Sequence, residues 1–517
     1  MTESQVQASI STKRAPRTER VLWCLLVLLA VVSYLYLNLF AFPHTPYLLG
    51  GDQAFFWMDA QRMLGGEHVY QDFFQFTPPG TDLVYLALFK LFGLRVWVTN
   101  ATVLVLGVAL CWVCFAVARE IMARGPAVLA TLLFLTLIYG RLLNGTHHLF
   151  SLLIVMCAVK VGMRHRSPRW LLAVGALLGA ASFFTQTRGA MAVLAFATFL
   201  AWERWQKKEA WQSLLRQYLA LGFAFAGALL VLDAHFIVAV GLKQLWYFQI
   251  TYVRTYMVHG IRTWYLGLPL AWDKLPQLFA YLFVYILLPV VYVMTLARSW
   301  RQREHSNREL PGVALLCLTG AFLLLEVGLS LNWLRLYAVS MPAIILLIWI
   351  ISQSKRVQKY AVALVWVAVA GLAIRQTRAR HSRDLIAAVV PGGRIVMPAQ
   401  KNEELQWIAL RTKPGQFLFE AGGPTFYLPL QLLNPAFLDE IHNNNESTPE
   451  YVDLAIQQLE AKKVPLILWV SRLNDAEDPR AGEAIARFRD FLQERYDRSR
   501  IFPNGDEIWA RKAAPVD

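Results

Sequence analysis

Charge is scarce in this chain. Asp, Glu, Lys and Arg make up 16% of its 517 residues, against roughly a quarter in an ordinary soluble domain. Cysteine is scarcer. The five, Cys24, Cys111, Cys114, Cys157 and Cys317, all fall in long apolar runs, which excludes a disulfide framework in any exposed region. Cys111 and Cys114 form a CxxC without a second pair, and inside an apolar helix two small packing residues is the plainer reading. Internal repeats, long low-complexity tracts and a glycine-rich phosphate fingerprint are absent. Gly422-Gly423-Pro424 reads as a turn. Acid is also short, with 35 Asp plus Glu against 50 Lys plus Arg, a net charge of +15.

What is abundant is apolar sequence, 56% of the residues, with a mean hydropathy of +0.41. From Arg375 to the C-terminus there are 19 basic and 20 acidic residues, leaving 31 basic and 15 acidic, or +16, for the first 374. Six short connections hold most of that excess: the N-terminal tail, Arg119–Arg124, Arg164–Arg169, Glu203–Arg216, Arg298–Glu309 and Gln353–Lys359. A nucleic-acid binder gathers its positive charge on one surface. Charge spread over short loops beside apolar runs is the positive-inside pattern of a multi-pass membrane protein, so nucleic acid is not an expected partner.

A bilayer core needs about 20 apolar residues per helix. Eleven spans satisfy this approximately, near 21–42, 100–118, 125–139, 149–163, 170–184, 189–203, 217–239, 276–297, 312–330, 336–352 and 359–374. The first is too long, and too poorly followed by small residues, for a removable signal peptide. A twelfth apolar stretch, Leu83 to Phe92, is excluded by parity, since counting it would turn several basic loops outward. Pro79 to Phe92 is therefore expected as a helix lying in the outer interface. The predicted fold is a polytopic α-helical membrane protein of about 11 transmembrane helices, with a disordered cytoplasmic tail over 1–20. Its expected place is a bacterial inner membrane, N-terminus cytoplasmic, with a periplasmic C-terminal domain over 375–517. That domain alternates apolar runs (Arg394–Met397, Gln416–Phe419, Pro465–Val470) with helical patterns (Asn402–Arg411, Pro449–Lys462, Ala481–Arg495), the mark of a small α/β unit.

The first outer loop, Pro43 to Thr99, opens with Leu49-Gly50-Gly51-Asp52-Gln53 before a short helical pattern that stops at Gly65-Gly66. Asp52 sits where a helix N-cap would, a role worth about 1 kcal/mol. A carboxylate at the outer end of a span also suits a general base or a ligand for sugar hydroxyls. The loop continues through Val69-Tyr70-Gln71-Asp72-Phe73-Phe74-Gln75-Phe76-Thr77-Pro78-Pro79-Gly80 to Lys90-Leu91-Phe92-Gly93. A span, an outward Asp opening a helix, a Gly-x-x-x-Tyr stretch, a Pro-Pro turn and Lys-Leu-Phe-Gly, in that order, resemble the first lumenal loop of a known superfamily. These are the GT-C glycosyltransferases that use polyprenyl-phosphate sugars, notably the protein O-mannosyltransferase and lipid A aminoarabinose transferase group. The resemblance covers about residues 20–190 and extends more loosely over the whole chain. It implies Asp52 as the catalytic carboxylate and an inverting single displacement. The family often carries a second acid in the next outer loop. Here that loop, Gly140-Arg141-Leu142-Leu143-Asn144-Gly145-Thr146-His147-His148, has none, and His147 and His148 stand in the expected place.

Such a reaction needs cations for the leaving lipid phosphate. Arg141, Arg188 and Arg335 lie at outward span ends against the positive-inside trend, and are the candidates; snorkelling to headgroups is the alternative. Arg188 and Arg335 are placed like phosphate-contacting residues of the family. His147, His148, Asp72 and Glu326 are candidate substrate contacts, Glu326 because it lies near the outer end of a span. Lys160 and Asp233 also fall in or near spans, where snorkelling explains them. The second outer loop mixes aromatics with cations (Trp246, Tyr247, Arg254, Tyr256, His259, Arg262, Trp264 and Tyr265) and reads foremost as an interfacial belt. Asn144-Gly145-Thr146 and Asn445-Glu446-Ser447 match a glycosylation pattern of low specificity. No metal site is expected, and no cofactor beyond a divalent ion that the chemistry would admit. Expected partners are a polyprenyl-phosphate-linked sugar, a glycan, lipid or protein acceptor, and membrane lipids. Two other classes stay open: a transporter or flippase of lipid-linked sugars, and a non-catalytic envelope-glycan assembly factor. A transporter would show internal repeats and helices broken at the midplane, and neither is evident.

Overall fold

The computed structural model describes residues 17–41, 43–208, 210–257, 275–301, 309–328, 331–353, 358–381, 384–444, 446–475 and 479–512. The N-terminal tail before Arg17, the distal half of the second outer loop with His259, Arg262, Trp264 and Tyr265, and Asn445 lie outside them. Long helices make the body: α1 (Arg17–Leu39), α4 (Val96–Ile121), α5 (Arg124–Leu133), α6 (His147–Arg164), α7 (Pro168–Ser182), α8 (Gln186–Lys207), α9 (Trp211–Val240), α10 (Leu275–Arg301), α11 (Leu310–Gly328), α13 (Met341–Ser352) and α14 (Gln358–His381). Among the shorter helices between them are α2 (Gln53–Leu64), α3 (Gly80–Phe92) and α12 (Trp333–Ala338).

Ten of the expected spans fall mainly on one of these helices each, and the expected 336–352 is divided between α12 and α13 at Val339–Ser340. Among the described residues, seven helices are long and apolar enough to cross a membrane: α1, α4, α5 with its extension to Leu142, α6, α9, α11 and α14. α7, α13 and Phe283–Ser299 of α10 are apolar but shorter, and α8 carries Arg188, Glu203, Arg204 and Lys207. α5 continues through π-type turns over Phe134–Tyr139. α14 runs to His381, past the expected domain boundary at 375, because Arg375–Arg380 continue the helix beyond its apolar stretch. The helix expected over Pro79–Phe92 is present as α3. It buries Thr81, Asp82, Tyr85 and Phe89 and leaves Leu91 and Phe92 exposed.

After α14 the chain forms β1 (Leu385–Val390), β2 (Gly393–Pro398), α15 (Ala399–Ala409), β3 (Phe419–Glu420), α16 (Pro449–Ala461), β4 (Leu466–Trp469), α17 (Pro479–Arg495), β5 (Tyr496–Ile501) and β6 (Glu507–Arg511). β1 and β2 make an antiparallel hairpin; the other strands form a sheet in the order β3-β4-β6-β5, parallel only at β3–β4. The three expected helices and the strands over Arg394–Met397 and Leu466–Trp469 are there, whereas the run Gln416–Phe419 meets a strand only at Phe419. β1, β5 and β6 were not expected; in β5, five of six positions are exposed, so no apolar run marks it.

The domain sits on one end of the bundle, held by backbone and side-chain bonds to the first loop. Leu48 N–H donates to the Val396 carbonyl (2.7 Å), Val96 N–H to Gly392 (3.0 Å) and Phe74 N–H to Phe437 (2.8 Å). From α2, Gln61 Nε2 donates to the Leu432 carbonyl (2.8 Å) and Arg62 Nη1 to that of Ala436 (2.8 Å). The first loop is therefore clamped between bundle and domain.

Candidate active site

Gly51 has φ +73°, a conformation that favours glycine, and this turn delivers Asp52 to the N-cap of α2. Asp52 makes no capping hydrogen bond with its side chain. The carboxyl instead opens into a cavity of about 240 Å³ between α2, the Phe74–Thr77 segment, the start of α6, α12 and the domain segment Leu438–Glu446. The side chain is open toward this cavity yet enclosed by its walls. Desolvation raises the Asp52 pKa above the ordinary carboxylate range, and the Arg335 charge draws it part of the way back.

Arg335 faces the same cavity from α12, whose N-cap Asn332 accepts from the Arg335 backbone N–H (2.9 Å). Burial lowers the pKa of its guanidinium, and the charges of Glu326, Glu446 and Asp52 oppose that shift. His147 and His148 enter from the start of α6, rings 3.9 Å apart, with His147 5.4 Å from Phe56. The Nδ1 atoms of both imidazoles have no hydrogen-bond partner among the described residues. Phe55, Phe56, Phe74, Phe76 and Tyr252 give the cavity an aromatic lining. Apolar rings with a carboxylate on one side and a guanidinium on another are suited to a sugar that carries a reacting oxygen and a departing phosphate.

Arg188 is fully buried outside the cavity wall. It pairs with Glu326 (Nε to Oε2, 3.1 Å) and donates from Nη1 to the His148 carbonyl (2.7 Å) and Ser151 Oγ (3.3 Å). Glu326 also accepts from Thr187 Oγ1 (2.9 Å). This pair thus braces the start of α6 through His148, and Arg188 is not among the residues lining the cavity; its Nη2 has no hydrogen-bond partner among the described residues. Arg141 stacks its guanidinium 5.8 Å from the Tyr337 ring centroid and lines a different cleft. Asp72 lies at an exposed turn with His68 (3.4 Å) and accepts the His68 N–H (2.7 Å), away from Asp52. The structure therefore brings together Asp52, Arg335, His147 and His148, and leaves Arg141 and Asp72 out. Lys160 pairs with Glu120.

Sequence reasoning missed the contribution of the domain. Asp439, Glu440, His442 and Glu446 complete the cavity wall. Glu440 pairs with Arg472 (2.6 Å) and His442 (3.4 Å), and Tyr252 Oη donates to the Glu446 carbonyl (2.5 Å). The available signal was the polar run Asp439-Glu440-Ile441-His442-Asn443-Asn444, interrupting apolar sequence. Among the described residues no group of three or more His, Cys, Asp or Glu side chains has a metal-holding geometry.

No protein-family profile matches the chain, and no curated protein sequence matches it. Solved structures do. ArnT from Cupriavidus metallidurans in the apo state superposes with a TM-score of 0.62 at 14% identity, covering 96% of this chain and 100% of that one. The same protein bound to undecaprenyl phosphate gives 0.61 at 13%, covering 95% and 98%. The archaeal oligosaccharyltransferase AglB from Archaeoglobus fulgidus, in complex with an inhibitory peptide and a dolichol-phosphate, gives 0.50 at 12%, covering 96% and 75%. The chain shares the fold of ArnT along nearly its full length. At this low identity the likeness speaks for architecture, and the chemistry rests on the residues above.

Proposed function

We propose that this chain is an integral-membrane glycosyltransferase. It moves a monosaccharide from a polyprenyl-phosphate donor to a hydroxyl of a lipid, glycan or protein acceptor on the outer side of the membrane. The observation that carries the reading is Asp52 and Arg335 in one aromatic-lined cavity where bundle and domain meet. The neighbours of the same fold add to it, since one is bound to undecaprenyl phosphate and another to a dolichol-phosphate and a peptide.

In this mechanism the acceptor hydroxyl donates a hydrogen bond to the Asp52 carboxylate. As its oxygen bonds to the anomeric carbon, the bond from that carbon to the phosphate oxygen breaks and the electron pair leaves with the lipid phosphate. Asp52 takes the proton, and its raised pKa makes it a better base than a free aspartate. Arg335 faces the charge that grows on the phosphate. Attack opposite the leaving group inverts the anomeric centre. Glu440 and Glu446 supply from the domain the acidic side chains that the Gly140–His148 loop lacks, and with His442 they line the same cavity, where sugar hydroxyls can donate to them.

Asp52→Asn is expected to lower transfer by about 10²–10⁴-fold while the protein still inserts and folds. The measurement is turnover of a polyprenyl-phosphate sugar in proteoliposomes, and wild-type turnover by the variant would refute the assignment. Because the Asp52 pKa is raised, the acid limb of the wild-type rate profile should lie above the ordinary aspartate range. The orientation belongs to the same proposal: the N-terminus cytoplasmic, the domain periplasmic, in a bacterial inner membrane. A phosphatase fused after Asp517 should be active only outside the cytoplasm.

A further inference from the structure

A second cavity, about 470 Å³, opens beside the first, with Gln53 in its wall while the neighbouring Asp52 faces the other. Its walls are the end of α1, the Leu48–Gly50 turn, the Gly140–Leu143 turn and the last turns of α14. Three arginines line it, Arg141, Arg375 and Arg380, and the described residues lining it include no Asp or Glu. The first cavity, by contrast, has Asp52, Asp439, Glu440 and Glu446 in its wall.

Three guanidinium groups repel one another, so their gathering needs a built frame. Arg380 donates from Nε to the Asn38 carbonyl (3.2 Å) and stacks 4.6 Å from the Tyr47 centroid. Asn38 Nδ2 donates to Thr377 Oγ1 (3.1 Å), and Gln376 bridges the Tyr34 hydroxyl and the Thr136 carbonyl. Gln53 donates to the Gly50 carbonyl (3.2 Å) and accepts the Gly145 N–H (3.0 Å), which fixes the partition between the two cavities. Arginine is the side chain suited to bidentate phosphate recognition. Leu48, Leu49, Leu142, Leu143 and Leu372 form the rest of the lining. A wall that is part cationic and part aliphatic, at the ends of apolar helices, matches an amphiphile better than a soluble anion.

We propose that this cleft is a second phosphate-binding site, which takes the phosphate head of a membrane lipid and is separate from the site at Arg335. It rests on the proposed function only in assigning the donor phosphate to Arg335. The test uses the full-length protein in neutral detergent, titrated with dioctanoyl phosphatidate and read by native mass spectrometry. Dioctanoylglycerol and inorganic phosphate serve as the other probes. Two phosphatidate copies are expected on the wild type. Arg141→Gln with Arg375→Gln should lose one, and Arg335→Gln the other, while dioctanoylglycerol adds none. Two copies retained by the double variant, or inorganic phosphate competing as well as phosphatidate, would overturn the lipid site. Should the double variant fail to fold, the double Lys variant decides: phosphatidate binding weakened several-fold supports the site, unchanged affinity opposes it. Transfer surviving in Asp52→Asn would remove the glycosyltransferase reading and leave this site standing, so the two failures are distinguishable.

Discussion

Arg188 has no exposed surface, and its ion-pair partner among the described residues is Glu326. An ion pair taken out of water is held because losing one partner strands the other. Arg188→Gln is therefore expected to cost about 3–5 kcal/mol, and Glu326→Gln a similar amount. The double substitution should cost less than the sum of the two, since neither charge is then stranded. Thermal unfolding in detergent measures all three, and strict additivity would show that the pair is uncoupled. Asp52 stands at the opposite limit: its carboxyl makes no cap bond, so removing its charge should affect rate far more than stability.

Helix α7 shows how composition becomes packing. Gly175 and Gly179 present their bare backbone to α9, and a Cβ at either would press on the carbonyl of Leu221 or Phe225 and on Ala224 or Ala228. Small residues four apart let two helices approach closely where no hydrophobic drive separates protein from lipid. Gly179→Leu is expected to push α9 away and destabilise the bundle by about 1–3 kcal/mol, visible as a lower unfolding temperature. Gly222→Leu, where a Cβ meets nothing within 4 Å, should leave that temperature unchanged and serves as the control. The π-type turns of α5 show a related economy of backbone. Widening the helix over Phe134–Tyr139 leaves the Thr136 carbonyl able to accept from Gln376 Nε2 (2.9 Å), tying α5 to α14, the kind of local widening often found near functional sites.

At the scale of the whole molecule, the junction between bundle and domain buries three carboxylates: Asp59 on α2, Asp82 on α3 and Asp439 in the domain. Burial comes first in raising their pKa values, followed for Asp59 and Asp82 by the charge of Asp439. Asp439, which the Arg62 charge draws back, still rises to about 8. An acid whose folded pKa lies above its unfolded value contributes stability that is complete below the unfolded pKa, near 4, and is lost as pH rises through the folded one. The junction should therefore be firmest below about pH 4 and weaken progressively as pH rises from there toward about 8. Both Asp82 oxygens lack a hydrogen-bond partner among the described residues, so Asp82→Asn replaces a carboxyl that burial holds protonated with a side chain that cannot ionise. Thermal unfolding followed across that range should show a shallower loss for the variant than for the wild type. Parallel curves would show that the cluster does not govern the junction.

Much of this was legible along the chain, because apolar runs of bilayer length and the sidedness of Lys and Arg are one-dimensional signals that need no partner to be read. The long apolar helices, the short helix α3 and most of the domain's helices followed from them, and so did attention to Asp52 beside a Gly-Gly turn. The cavity did not. Glu440, His442 and Glu446 stand far from Asp52 in sequence and reach it only because the first loop hydrogen-bonds to the domain, as from Phe74 to Phe437. Arg141 and Arg335 were both candidate phosphate contacts at span ends, with Arg335 favoured only by the family resemblance. Only the packed structure sends one toward Asp52 and the other into an acid-free cleft, because the direction of a side chain is set by what the neighbouring helices leave open.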